Sequence, residues 1–155
     1  MADHPPLLED ALSNAKSRLM IISPWIKRKV VNEGFLRKLE RLLRNGVRIF
    51  VGYGITEQPT ENPFAPDLAA VGDLQALAAK YPNFSLKRLG NTHAKVLIKD
   101  SDFAAITSFN WLSFKGDPHR TFRDEQGTLL QVSELVNQKF VELEPRFASP
   151  DPVQP

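Results

Sequence analysis

Between Leu7 and Val51 the chain alternates twice between a helical stripe and a short, mostly apolar run, and this alternation restricts the fold more than any other feature. Leu8, Ala11, Leu12, Ala15 and Leu19 recur every three or four residues, after which Leu19-Met20-Ile21-Ile22 reads as a buried strand closed by Ser23-Pro24. Phe35, Leu36, Leu39, Leu42 and Leu43 form a second stripe stopped by Asn45-Gly46, and Val47 to Val51 is a second apolar strand. A third helix is expected from Asp67 to Lys80, ended by Tyr81-Pro82. Strand-like stretches follow at Phe84 to Leu89, Thr92 to Lys99, Phe103 to Ser108 and near Gln126 to Val132. A last helix is expected from Ser133 to about Phe147, with Leu135, Val136, Phe140 and Leu143 as its stripe. Helices alternating with strands early and strands clustering late imply an α/β fold, a mixed sheet flanked by helices on both faces.

A length of 155 residues predicts one domain, expected over 7–147, with flexible tails at 1–6 and 148–155 where prolines accumulate. Thr56 to Pro66 contains Pro59, Pro63 and Pro66 and reads as a long loop, a candidate rim or lid. The chain has no cysteine, which excludes a disulfide framework, a thiol nucleophile and a thiolate metal site, and favours a reducing, cytoplasmic compartment. No apolar run approaches the roughly 18 residues that span a bilayer, and Met1 to Asp10 lacks the basic-then-apolar order of a signal peptide. The expectation is a protein neither membrane-spanning nor secreted.

A net charge of +2 hides a segregated distribution. From Lys16 to Arg48 ten basic residues stand against Glu33 and Glu40, giving +8, while the rest of the chain carries ten basic and sixteen acidic residues, giving −6. Such segregation suits a polyanion, a nucleic acid or an anionic membrane, although the same residues could also simply solvate a helix face. Lys27, Arg28, Lys29, Arg37 and Arg41 are the candidate contacts, and Trp25 and Trp111 are equally suited to stack on a base or to sit in the core.

The chemistry concentrates between His93 and Asn110. Alternation puts His93, Lys95 and Leu97 on one face of a strand. With Asp100-Ser101 as a tight turn, the returning strand pairs so that His93 faces Ser108 and Lys95 lies across from Ile106, with Asn110 one step beyond. In that register Val96, Ile98, Phe103 and Ala105 form the opposite, apolar face. An imidazole, an ammonium and two neutral donors on one patch are what a phosphate ester requires: a group to attack or move a proton, a charge to offset the oxygens, and donors to hold them.

The spacing His93-x-Lys95-x4-Asp100-x6-Thr107-Ser108-x-Asn110 resembles the His-Lys-Asp signature of the phospholipase D superfamily, normally closed by Gly-Ser-x-Asn. Five of the six usual positions match; at roughly one in twenty per position, an accidental match has odds on the order of 10⁻⁶ per starting point. The departure is Thr107 where the family has glycine, which crowds a close backbone approach to phosphate. Arg18 to Ile26 and Val47 to Tyr53 are similar to the family's first two strands, and Phe122-Arg123-Asp124-Glu125 to the segment that supplies an acidic partner for the histidine.

The resemblance, closest to its bacterial nuclease-like branch, implies a phospholipase D-like domain that cleaves phosphodiesters through a phosphohistidine, without a metal and without a cofactor. It implies His93 as nucleophile, or as general acid in the second copy, with Lys95 and Asn110 binding the non-bridging phosphate oxygens and Ser108 assisting. Glu125, or failing it Asp124, would orient the imidazole. Asp100, at the turn, is expected to be structural. Family members use two copies of the signature, whereas this chain has one, and neither His4 nor His119 precedes a lysine by two residues. A homodimer with the active site at its interface is therefore expected. The substrate expected is nucleic acid, DNA and also RNA. The alternatives are a lipid-directed phosphodiesterase or phosphatidyl transferase, and a non-catalytic DNA-binding or dimerisation module of a larger DNA-processing protein.

Overall fold

The computed structural model describes residues 4–23, 26–53, 68–89, 95–107 and 127–148. The elements run α1 (His4–Asn14), β1 (Arg18–Ile22), α2 (Glu33–Arg44), β2 (Arg48–Tyr53), α3 (Leu68–Lys80), β3 (Phe84–Arg88), β4 (Val96–Lys99), β5 (Phe103–Thr107), β6 (Gly127–Leu130), α4 (Ser133–Leu143) and α5 (Pro145–Ala148). They build one six-stranded mixed sheet in the order β3-β2-β1-β4-β5-β6. The strands β3, β2 and β1 are parallel, as helical crossovers require, while β4, β5 and β6 join antiparallel beside β1. This is the α/β architecture that the alternation of stripes predicts.

β1 is the centre, and its sequence shows why. Leu19, Met20, Ile21 and Ile22 are all fully buried, because β1 has neighbours on both edges and helices over both faces. Leu19 and Ile21 point into the larger core with Ile49, Val51, Leu97 and the apolar sides of α1, α2 and α3. Met20 and Ile22 point the other way, joining Phe50, Val96 and Ile98 beneath Val136 and Phe140 of α4. Each such side chain contributes about 1.5–3 kcal/mol relative to exposure. The ends of α2 follow from its caps. The Asn32 side chain accepts the Phe35 N–H at 3.0 Å, and at the other end Gly46, with φ of 84°, lets Gly46 N–H and Val47 N–H close back on Leu43 and Leu42 carbonyls.

Several boundaries differ from the sequence expectation. α1 begins at His4 rather than Leu7 and takes Pro5-Pro6 into its first turn, where the missing N–H groups would be unbonded in any case. The expected last helix is two helices, since Pro145 cannot continue the hydrogen bonding of α4 and starts α5 instead. Leu135, expected in the buried stripe, is exposed, and the inward face is Val136 and Phe140. The expected loop 56–66, Trp25, most of the two expected tails and the segment 108–126 lie outside the described residues.

Near its end β2 needs a residue without a side chain. A Cβ on Gly52 would lie 2.5 Å from Leu89 Cδ1 and 3.2 Å from Phe147 Cζ. Leu89 can turn aside, whereas Phe147 is held edge-on to Phe50 with ring centres 5.4 Å apart. Gly52→Ala is expected to cost about 1–2 kcal/mol in urea unfolding, and Leu89→Ala in the same chain to recover part of that cost.

Candidate functional site

The strand pairings sort the sheet into two ends with different chemistry. Ile22 pairs with both Gly52 and Val96, Tyr53 with Arg88, and Thr107 with Gly127. The carboxyl ends of β1, β2, β3 and β5 therefore share one end of the sheet with the starts of β4 and β6. At this end the Thr107 N–H donates to the Lys95 carbonyl at 2.9 Å, so the two residues are opposite one another. Carboxyl ends of parallel strands, where the order reverses direction at β1, are where open α/β sheets bind ligands.

The hairpin register differs from the expected one. Val96 pairs with Ile106, Leu97 with Ala105 and Lys99 with Phe103, so Lys95 stands across from Thr107 and not from Ile106. The cause is the turn, which holds three residues, Asp100, Ser101 and Asp102, instead of two, with Asp100 in the left-handed region at φ of 51° and Asp102 N–H on the Lys99 carbonyl. An odd loop exchanges the faces of the returning strand. Phe103 and Ala105 consequently join Leu97 in the larger core, while Val96 and Ile98 share their face with Ala104 and Ile106. Lys95 and Thr107 fall by alternation on the face of Leu97 and Ala105. His93, Ser108, Asn110, Trp111, His119, Asp124 and Glu125 lie outside the described residues.

Asp100 occupies the opposite end. Its carboxylate accepts N–H groups from Lys16 at 2.9 Å, Ser17 at 2.7 Å and Arg18 at 2.9 Å, together with the Ser17 hydroxyl at 2.9 Å. Burial pushes its carboxyl pKa up, and the N–H donors of Arg18, Ser17 and Lys16 more than reverse this, so the group stays below the usual aspartate range. Arg18 completes the joint: its Nε donates to the Asp100 carbonyl at 3.1 Å, its Nη2 donates to Asn137 of α4, and its guanidinium stacks 4.0 Å from the Phe140 ring centre. The Ser101 hydroxyl reaches the same Asn137 at 2.8 Å. Lys99, nearly buried, pairs with Asp10 and Asp102, each at 3.0 Å. Burial lowers its pKa, but these two carboxylates outweigh burial and hold it above the ordinary lysine value. The turn of the signature is thus bolted to α1, β1 and α4, at the opposite end of β4 from Lys95, about 16 Å along the strand.

The basic stretch is divided between the two ends, which sequence position could not reveal. Lys27, Arg28 and Lys29 lie in the connection from β1 to α2, at the end of Lys95. Arg28 pairs with Asp73 of α3 at 2.7 Å, and Arg37, one turn into α2, pairs with Glu33 at 3.2 Å. Arg41, also expected as a substrate contact, stands at the other end. It donates to the Leu12 and Ser13 carbonyls at 3.3 and 3.0 Å, capping α1 at the far end, because α2 runs back along the sheet as it leaves β1. Arg44 likewise serves Tyr81 and Glu40, and Arg48 serves Glu144.

Sequence reasoning missed Tyr53 and Arg88, which the parallel pairing of β2 and β3 brings to the end of Lys95. The signal was present in the helix-strand alternation, which puts every strand end of that half on one side. Among the described residues no group of three or more His, Asp or Glu side chains is arranged to hold a metal ion, and no helix is long and apolar enough to cross a membrane.

No curated protein matches the sequence. Among solved structures, Nuc from Salmonella typhimurium, described as a phospholipase D family member, superposes with a TM-score of 0.60 at 15% identity, over 92% of this chain and 86% of that one. NucT from Helicobacter pylori gives 0.61 at 18% identity, over 95% and 89%. The archaeal chromatin protein TrmBL2, described as showing a novel mode of DNA binding, gives 0.62 at 10% identity, over 98% of this chain and 51% of that one. At these identities the likeness is one of fold. The family described as "Cardiolipin synthase, PLD-like domain" matches residues 8–115, from the first core helix through the whole signature hairpin, and the chain accordingly belongs to the phospholipase D-like family.

Proposed function

We propose that the protein is a phosphodiesterase that cleaves nucleic acid, DNA and also RNA, without a metal, through a phosphohistidine formed in a homodimer. The observation that carries this reading is the division of the signature hairpin: Asp100 is consumed as an anchor at one end, while Lys95 and Thr107 stand at the other, at the carboxyl ends of β1 and β2. The residues that the signature assigns to chemistry, His93, Ser108 and Asn110, adjoin Lys95 and Thr107 in sequence.

In the proposed reaction an imidazole nitrogen of His93 attacks phosphorus and the bond to the leaving oxygen breaks, with the proton for that oxygen donated by His93 of the second subunit. Water, deprotonated by that same second imidazole, then attacks the phosphohistidine, breaks the P–N bond and frees a phosphomonoester. Lys95 and Asn110 offset and hold the non-bridging oxygens, Ser108 assists, and Glu125 orients the imidazole. Lys27, Arg28 and Lys29 in the connection from β1 to α2, and Arg37 in α2, would guide the backbone of the substrate. The test is a gel of single- and double-stranded DNA and RNA incubated with the protein in excess chelator. Cleavage is expected to persist, and its abolition by chelator would overturn the mechanism.

A non-catalytic reading is favoured by one observation, the branched Thr107 opposite Lys95 where the signature has glycine. Binding of DNA with a steep salt dependence and no product in the same gel would establish it. Turnover of phosphatidylcholine vesicles without nuclease activity would instead establish the lipid-directed reading.

A further inference from the structure

The carboxyl ends of the strands carry more than Lys95. Crossing the sheet from the hairpin, the order is β4, β1, β2 and β3, and β3 is the edge strand of the described sheet. Tyr53 ends β2 and Arg88 ends β3, directly paired, and the Leu89 N–H closes on the Tyr53 carbonyl at 2.8 Å, which holds the two ends together. Alternation from Val51 and Leu86 puts both side chains on the face of the larger core, the face that Lys95 shares with Leu97. Both are partly exposed. An ammonium, an aromatic ring and a guanidinium thus lie in a line along one end and one face of a rigid sheet. Three strand spacings separate Lys95 from Arg88, about 14 Å.

We propose that a single-stranded nucleic acid runs from the reaction centre across the ends of β1, β2 and β3, with Arg88 holding a backbone phosphate and Tyr53 a base. The proposal rests on the nuclease reading above and names the form of its substrate. At about 3.4 Å per stacked nucleotide the interval covers about four nucleotides, fewer where the strand is stretched. A guanidinium beside an aromatic ring suits a single strand, because its unpaired bases offer their faces for stacking while its phosphates stay within reach. A duplex hides those faces in its own stack. The edge position of β3 lets the strand continue into solvent without meeting another strand of the sheet.

The experiment uses the full chain and a fluorescent twelve-residue oligothymidylate. Binding is followed by anisotropy over a salt series in the His93→Ala background, and cleavage in the His93 parent. Arg88→Gln is expected to weaken binding about fivefold at low salt and to reduce the slope of log K against log salt by about 0.7, one single-strand phosphate contact. Arg88→Lys is expected to restore the slope, and Tyr53→Leu to weaken single-strand binding while keeping it. The loss in kcat/KM caused by Arg88→Gln should be about fivefold larger for the oligonucleotide than for bis(p-nitrophenyl) phosphate, which is too small to reach β3. A parent that hydrolyses the small diester, with a parental slope in Arg88→Gln, would overturn the track alone. A parent that binds and hydrolyses neither substrate would overturn the nuclease reading with it. Equal losses on duplex and single strand from Tyr53→Leu would overturn the single-strand assignment.

Discussion

Asp100→Ala is expected to lower the unfolding free energy by about 3 kcal/mol or more, the largest effect on stability of any single substitution at the far end of the sheet. Three backbone N–H groups, of Lys16, Ser17 and Arg18, converge on the Asp100 carboxylate at 2.7–2.9 Å where the chain turns from α1 into β1. Truncation leaves them without an acceptor beside a carbonyl that already serves Arg18. It also forces alanine to adopt φ of 51°, which aspartate and asparagine tolerate better. Asp100→Asn keeps one oxygen and the backbone preference, so its cost is expected to be about 1 kcal/mol. The charge adds a dependence on pH. Because the folded-state pKa of Asp100 is depressed, its stabilisation is complete above the ordinary aspartate value of about 3.9 and is lost as pH falls through the lower folded value. The difference in urea midpoint between parent and Asp100→Asn should therefore shrink below about pH 4, and a difference that stays constant down to pH 2 would show that the charge contributes nothing.

His93→Ala is expected to reduce phosphodiester hydrolysis by about 10⁴-fold or more, since it removes the proposed nucleophile and its counterpart in the second subunit together. Lys95→Ala should cost about 10²–10³-fold, as expected for one donor to a developing oxyanion. Both should leave the urea midpoint near that of the parent, because the far-end joint around Asp100 and Arg18 is untouched. Mixing distinguishes a shared site from two separate ones. After subunit exchange, an equal mixture of parent and His93→Ala should retain about one quarter of parental activity, because only parent-parent pairs hold two imidazoles. Retention of one half would mean that each chain works alone, and the dimeric mechanism would fall.

Much of the fold was legible because its signals are local. The unbroken run Leu19 to Ile22 reads as a doubly covered strand, and Asn45-Gly46, coming directly after a helical stripe, as its stop. The register of the β4-β5 hairpin was not legible. Asp100-Ser101-Asp102 suits a two-residue or a three-residue turn, and what selected three was the carboxylate of Asp100 reaching residues 16–18, over eighty positions away. The fate of Arg41 was hidden for the same reason. A cation on an exposed helix face reads alike whether it meets a substrate or the carbonyls of Leu12 and Ser13.

The sequence by itself determined the family and the residue types of the candidate chemistry, because a fixed spacing of His93, Lys95, Asp100, Ser108 and Asn110 survives any uncertainty about packing. What holds Asp100 at its end of the sheet, and what stands beside Lys95 at the other, was decided only by tertiary structure. Parallel pairing of β1, β2 and β3 collects their carboxyl ends beside Lys95 and adds Tyr53 and Arg88, whereas the antiparallel hairpin carries Asp100 to the opposite end. The stretch 16–48 with its ten basic residues is likewise split by the folding back of α2. Charge along a chain is one-dimensional, and the sheet separates in space what the sequence keeps together.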